Sequence, residues 1–232
     1  MTDGNDSDHQ SGHRTRLRRR FLAAGAEALA DYELLELLLF LAKPRGDAKP
    51  LAKRLIARFG SFAEAVSAPP DALAEVDGMG EASIAALKTA EATASRLLAG
   101  TLRDRPLLSS WSQLLDYCRV AMAHQPVEEV RVLYLDRKNR LIRDERQGRG
   151  TVDHTPLYPR EVVKRALALG ASALIVVHNH PSGDPTPSQA DIAMTRQLAE
   201  AAAALGLVLH DHLIVARGGH TSFRSAGLLV LG

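Results

Sequence analysis

The most constraining stretch of this 232-residue chain is 173–180, ALIVVHNH, which is followed at once by a loop holding three prolines. A short, continuously apolar run bounded by turn signals suits a strand buried at the centre of a sheet. Alternate side chains of a strand share a face. His178 and His180 therefore leave the strand's end on one side, and Asn179 faces the other. The loop 181–187 is stiffened by Pro181, Pro185 and Pro187 and opened by Gly183. Ser188 is a good N-cap for a helix over 188–204, which puts Asp191 in its first turn, able to face back to the loop. Two neutral imidazoles and one carboxylate leave a fourth tetrahedral position for water, the donor set of a catalytic rather than a closed structural zinc. His-x-His alone is common by chance; Ser188 and Asp191 at this spacing make the signal specific.

The surrounding pattern is α/β. EEVRVLYLD (128–136) alternates as a strand, Asn139-Arg140 reads as a turn, and LIRDERQ returns, giving a hairpin. Pro159 suits the first residue of a helix through Leu169 that Gly170 ends. Strand texture resumes over 207–216, and 221–225 reads as a final short strand. Upstream, from Phe21 to about Gly100, the periodicity is helical. A helix begins at Asp31, an N-cap candidate, with Leu34, Leu35, Leu38 and Leu41 on one face. Another over 49–59 ends at Gly60, and Ser61 caps a short one stopping before Pro69-Pro70. Asp71 opens a fourth and Glu81 a fifth, the latter running to about Leu98. The periodicity lapses over AGTLRDRPL (99–107). The expected organisation is a disordered tail at 1–15, an all-α domain at 16–100, a linker at 101–110 and the metal-binding domain at 111–232.

Composition sets the class. Hydrophobic residues make up 46% of the chain and aromatics only 4%, so the core is built mainly of Leu, Ala, Val and Ile. The lone cysteine, Cys118, excludes an internal disulfide and a four-cysteine zinc site and reads as a small buried apolar residue. The first twenty residues hold no apolar run, and no stretch reaches the roughly 18 apolar residues of a membrane span. A cytoplasmic enzyme or binding protein is expected. The formal net charge of +2 is too small to name a polyanion partner.

His-x-His, seven residues, Ser, two residues and Asp resembles the JAMM motif of MPN-domain metalloproteases. The fuller HNHPSGDPTPSxxD, with TPLYPREVVKRAL before it, resembles the RadC family in particular, and the similarity runs through nearly all of 16–232. The resemblance implies a three-layer, cytidine-deaminase-like MPN domain behind a small helix-hairpin-helix domain. It also implies one zinc ion on His178, His180 and Asp191, and a peptide or isopeptide substrate. Such chemistry needs a group that takes a proton from water and returns it to the leaving amine. Glu128 and Glu129 are adjacent candidates that alternation sends to opposite faces. The family pattern E-x-h-x-x-L favours Glu128, with Val130 and Leu133 in register; Glu145 and Glu161 are weaker choices. In these families the serine matched by Ser188 is thought to stabilise the oxyanion. Asp184 reads as a turn residue. His210-Asp211-His212 is a second His-x-His with no Ser or Asp partner following; the resemblance matches only Asp211-His212, which suits a supporting role beside the ligands.

Residues 74–83, AEVDGMGEAS, resemble a helix-hairpin-helix, in which Gly78 and Gly80 let backbone N–H groups approach a DNA phosphate. Residues 14–60 hold 11 basic and 5 acidic residues, a net of +6, whereas 61–105 hold 4 and 7, a net of −3. Glu81 beside the cradle opposes an anion there, so Arg18, Arg19 and Arg20, with Arg14 and Arg16, are the expected source of any phosphate contact. Proteins of the resembled family have traditionally been called DNA repair proteins. A DNA-associated accessory protein is thus the second reading, and a metal-dependent nuclease the third.

Overall fold

The computed structural model describes residues 4–102, 106–109, 111–149 and 157–229. Parts of the expected linker (103–105 and 110) lie outside these, as do residues 150–156, which include His154. The chain divides into two compact units, Met1–Thr93 and Ala94–Gly232.

The first unit is helical: α1 (Gly4–Ala24), α2 (Asp31–Ala42), α3 (Lys49–Phe59), α4 (Phe62–Ser67), α5 (Pro70–Ala74) and the start of α6 (Glu81–Leu102). Its core gathers Leu17, Leu35, Leu39, Leu51, Leu55, Leu73 and Leu87. The segment expected as a disordered tail is helical from Gly4. Its later residues are tethered: Leu17 is buried, and the Arg14 guanidinium donates to the carbonyls of Lys43, Pro44 and Gly46 at 2.8, 3.0 and 2.6 Å. The expected leucine stripe of α2 is out of phase, because leucine on nearly every position hides the register. Leu35, Glu36, Leu39 and Phe40 face inward, and Leu41 is 78% exposed. Asp31 does not cap its own helix, whose N-cap is Ala30. Its carboxylate accepts from Phe62 N–H at 2.7 Å at the start of α4. Helix α6 runs on to Leu102, into the span expected as linker.

The second unit continues with α7 (Trp111–Met122), β1 (Glu129–Leu135), β2 (Leu141–Arg149), α8 (Pro159–Ala168), β3 (Ala173–Asn179), α9 (Gln189–Ala203), β4 (Val208–Ala216) and β5 (Gly219–Ser222). The sheet order is β2-β1-β3-β4-β5, so β3 is the central strand, antiparallel to β1 and parallel to β4. One face of the sheet carries Val130, Val132, Tyr134, Leu174 and Val176 against α8 and α9. The other carries Leu133, Leu135, Ile175, Val177, Leu213 and Val215 against α7 and the end of α6. These are three layers, with every residue of β3 buried. Helix α7 goes beyond the sequence expectations; Leu114, Tyr117, Cys118 and Met122 form its buried face, and burial pushes the Cys118 thiol pKa up.

In the helical unit, the Glu36 side chain is fully buried; Oε1 meets His13 Nε2 at 2.8 Å, and Oε2 has no hydrogen-bond partner among the described residues. Burial raises its pKa. A folded-state pKa above the unfolded value gives stability that is full below the unfolded value and lost as pH rises through the folded one. Glu36→Gln removes the charge, so it is expected to raise the melting temperature over the parent at pH 8 and to do so much less at pH 4. An equal effect at both would show that the buried charge does not limit stability.

Candidate metal centre

The site is built at the C-terminal end of β3. Pairing continues to Val130↔His178 on one side and Asn179↔Val215 on the other, and His180 N–H donates to Val215 C=O at 3.0 Å. The chain then turns at Gly183, whose φ of 92° suits glycine. Gly218 N–H donates to Gly183 C=O at 3.0 Å, an approach so close that a Cβ on Gly218 would lie 2.6 Å from that oxygen. The loop is thus fastened to the β4–β5 turn. Asp184 is a turn residue: its Oδ1 accepts from Thr186 N–H and Oγ1 at 2.9 and 2.7 Å.

Ser188 is the N-cap of α9. Its Oγ accepts from Asp191 N–H at 3.1 Å, and its own N–H and hydroxyl donate to Asp191 Oδ2 at 2.7 and 2.6 Å. This capping box aims the Asp191 carboxylate at the loop. Asp191 Oδ1 lies 3.4 Å from His178 Nε2, Asp191 Oδ2 lies 3.6 Å from His180 Nε2, and the two Nε2 atoms are 2.9 Å apart. His178, His180 and Asp191 form a group that could hold a metal ion. Donor atoms about 2.0–2.1 Å from a tetrahedral zinc stand roughly 3.3 Å from one another; the 3.4 and 3.6 Å separations, one to each oxygen of Asp191, are near this, and the two Nε2 atoms are closer, at 2.9 Å.

The proton positions sharpen this fit. Thr195 Oγ1 donates to Asp191 C=O at 2.6 Å, so toward His212 Nδ1, also at 2.6 Å, the hydroxyl oxygen accepts. Neutral His212 then carries its proton on Nδ1 and accepts at Nε2, where His178 Nδ1–H donates at 2.7 Å. His178 Nε2 is left as a bare lone pair. His180 Nδ1–H donates to Asp184 C=O at 2.8 Å, which bares its Nε2 as well. Two lone pairs and a carboxylate converging with no proton between them repel unless a cation joins them. Burial draws the His178 pKa down to about 4 and that of His212 well below its usual value. Although burial works against it, the contacts with His180, His178 and Ser188 hold Asp191 well below the usual carboxylate range. The neighbouring Asp191 carboxylate, which favours a charged imidazole, raises the pKa of His180.

Glu128 and Glu129 part as alternation requires. Glu129, the first residue of β1, is buried on the far face, where its carboxylate meets Arg131 and Arg146 at 3.2 and 3.3 Å. Glu128 immediately precedes β1, next to Val130's strand end, and its charge contributes to the raised pKa of His180. Glu145 is engaged by Arg165 Nε at 2.9 Å and Glu161 by Arg160 at 3.3 Å. A groove of about 570 Å³ lined by Arg196, Glu200, Leu207, Leu209, Leu228 and Leu229 lies at the opposite end of β3 and β4 and contains none of these residues.

In the helical unit, Gly78 (φ 87°) and Gly80 precede α6. Lys43 Nζ donates to Gly78 C=O and Arg54 Nε to Asp77 C=O, each at 3.1 Å, so two cations absent from the motif reading sit at the hairpin. Arg20 pairs with Glu33 and Arg18 lies 5.7 Å over the Phe40 ring, while Arg19 is exposed.

Comparison with known proteins gives two matches that together span most of the chain. Residues 108–228 match the RadC-like JAB domain and residues 9–85 the UPF0758 N-terminal domain. A UPF0758 protein of Rhodobacter capsulatus is 66% identical over 213 residues, covering 92% of this chain and 100% of the relative. One of Ruegeria pomeroyi is 59% identical over 217 residues, covering 94% and 97%. The chain belongs to the RadC family.

Within this RadC-family chain the residues that sequence reasoning missed are Thr195 and the full part played by His212. Their link to His178 depends on a β-bulge. Pairing of β3 with β4 shifts between Leu174↔Leu209 and Ile175↔Asp211, so His210 is the extra residue. Its Nε2 is drawn aside to Asn139 Oδ1 at 2.7 Å. The shift moves His212 onto the face of Val176 and His178. Asp211 goes to the other face, where it accepts from Ser222 Oγ at 2.5 Å and Arg224 N–H at 2.9 Å. Loss of a partner that orients a ligand histidine typically costs about 10–100-fold in metal affinity. Thr195→Val, which keeps the shape and removes the acceptor for His212 Nδ1–H, is expected to weaken binding of a divalent cation by about tenfold. Competition titration against a chromophoric chelator measures this, and unaltered affinity would show that the chain through His212 does not orient His178.

Proposed function

We propose that the protein is a zinc-dependent hydrolase of amide bonds, acting on a peptide or isopeptide. The observation that carries the reading is the convergence of the bared Nε2 atoms of His178 and His180 with the Asp191 carboxylate, with the charge of Glu128 near enough to act on His180. Membership of the RadC-like JAB domain family supports it, since JAB domains are often metal-dependent hydrolases. Zinc held by His178, His180 and Asp191 supplies Lewis acidity, which brings the pKa of a coordinated water near 7 and polarises a carbonyl.

The protein's own groups do the rest. Glu128 takes a proton from the attacking water and returns it to the leaving nitrogen, so that one amide and one water give a carboxylate and an amine. His178 stays neutral because it is buried and fixed by His212, and so keeps a lone pair for the ion. The Ser188 hydroxyl, held on Asp191 Oδ2 at 2.6 Å, orients that carboxylate. Turned about χ1 toward the cleft, it donates to the oxyanion of the tetrahedral intermediate.

A second reading is favoured by one observation: Lys43 and Arg54 flank the glycine hairpin and offset the charge of Glu81. On that reading the helical unit holds a DNA backbone. Salt-dependent binding to duplex or branched DNA that weakens on Lys43→Glu supports it; no binding at low salt rejects it. Cleavage of labelled DNA by the metal-loaded chain would point instead to a nuclease.

For the hydrolase, purified protein is expected to contain one zinc per chain and His178→Ala none. Glu128→Gln is expected to retain the metal and lose turnover of peptide or isopeptide substrates by about 10²–10⁴-fold. A zinc-free parent sinks the metal reading, and undiminished turnover by Glu128→Gln sinks the assignment of the base.

A further inference from the structure

Between the two histidines, Asn179 points away from the site and is fully buried. No role in the chemistry is assigned to it above, yet three of its contacts converge on one short segment. Its Oδ1 accepts from Glu129 N–H at 2.8 Å, and its Nδ2 donates to Val127 C=O at 3.1 Å and Gln125 C=O at 3.4 Å. The β1–β3 register ends at Val130↔His178, so beyond that point the asparagine side chain replaces the backbone ladder. The two shorter of these bonds hold residues 127 and 129, the two neighbours of Glu128. Glu128 itself lies just ahead of the first residue of β1.

We propose that Asn179 is a positioning residue for Glu128, clamping the backbone on both sides of it so that its carboxylate is presented on the face of the two histidines. The inference rests on the reading of Glu128 as general base. Alternation supplies the geometry: a side chain gripped from the far face at 127 and 129 leaves 128 directed to the near face. The ion pairs of Glu129 with Arg131 and Arg146 hold the same segment from the far side. An apolar residue at 179 would leave the Glu129 N–H and the Val127 C=O without these partners, a cost that the structure relieves by letting the segment move. Asparagine suits the position because its amide both accepts and donates; aspartate can only accept.

The test uses the full chain with Asn179→Ala and, as a milder change that keeps the acceptor for Glu129 N–H, Asn179→Asp. Hydrogen exchange of the Glu129 amide is expected to quicken about tenfold in Asn179→Ala, with the amides of Val132 and Leu133 still protected. With Co²⁺ bound, paramagnetic relaxation of the Glu128 side chain is expected to fall in Asn179→Ala while Co²⁺ affinity holds. Asn179→Asp should show the same effect with a slower Glu129 amide. On an active substrate, kcat should drop about 10²-fold with KM unchanged, and adding Glu128→Gln should cost little more. Unchanged Glu129 exchange overturns the clamp. Quickened exchange with unchanged Glu128 relaxation leaves the asparagine merely structural and overturns its positioning role. A parent that takes up no Co²⁺ sinks the metal reading and the positioning with it. A Co²⁺-loaded parent in which Glu128→Gln is fully active sinks only the base.

Discussion

Strand β3 is paired on both sides and buried on both faces, and the geometry of the candidate site depends on that confinement. A strand so placed has a strongly specified register, because a slip of one residue exchanges every side chain between the faces. At its C-terminal end this alternation turns from packing to chemistry. His178 continues the face of Leu174 and Val176. Asn179 continues the face of Ile175 and Val177 and reaches the segment that leads into β1. The histidines and the backbone around Glu128 are therefore referred to one rigid element rather than to separate loops, as precise placement of reacting groups requires.

A second element must agree with the first, and a defect in the ladder makes it do so. Without the extra residue at His210, regular alternation from Leu209 would carry His212 to the face of Val177, away from His178. The bulge restores it to the face of Val176, 2.7 Å from the His178 ring, with Thr195 of α9 beyond. Because Thr195 also donates to the Asp191 carbonyl, the chain of protons closes on the helix that bears the third donor. Strand, neighbouring strand and helix are joined by hydrogen bonds whose directions leave both Nε2 atoms free of protons.

The grouping of His178, His180 and Asp191 was legible in the sequence because its spacing is local. One residue separates the histidines at the end of a strand, and a capped helix start fixes Asp191 against a stiff loop. The division between Glu128 and Glu129 was legible from strand period together with the family pattern. Thr195 and His212 were not, since their meeting with His178 depends on tertiary pairing and on a bulge that simple alternation does not contain. The phase of α2 failed for a different reason: leucine at 34, 35, 37, 38, 39 and 41 fits several helical faces equally, and packing decides among them. The tail failed because its polar composition conceals long-range anchors. Arg14 spends its donors on carbonyls around residue 44, a partner that no local pattern predicts.

The charge in the site argues for a cation in place of a proton. Deep burial makes a protonated His178 costly, and His212 at its back is neutral for the same reason. Against the opposing pull of burial, the Ser188 N–H and hydroxyl, both donating to Asp191 Oδ2, favour its ionised form. The cluster therefore carries net negative charge with two bare imidazole nitrogens, in a place where water is partly excluded and Coulomb forces are less screened. A proton on His180 relieves part of this, which is why its pKa is raised. A divalent ion held by the three donors would relieve more of it. The same burial that disfavours charging the histidines thus selects the partner that needs them neutral.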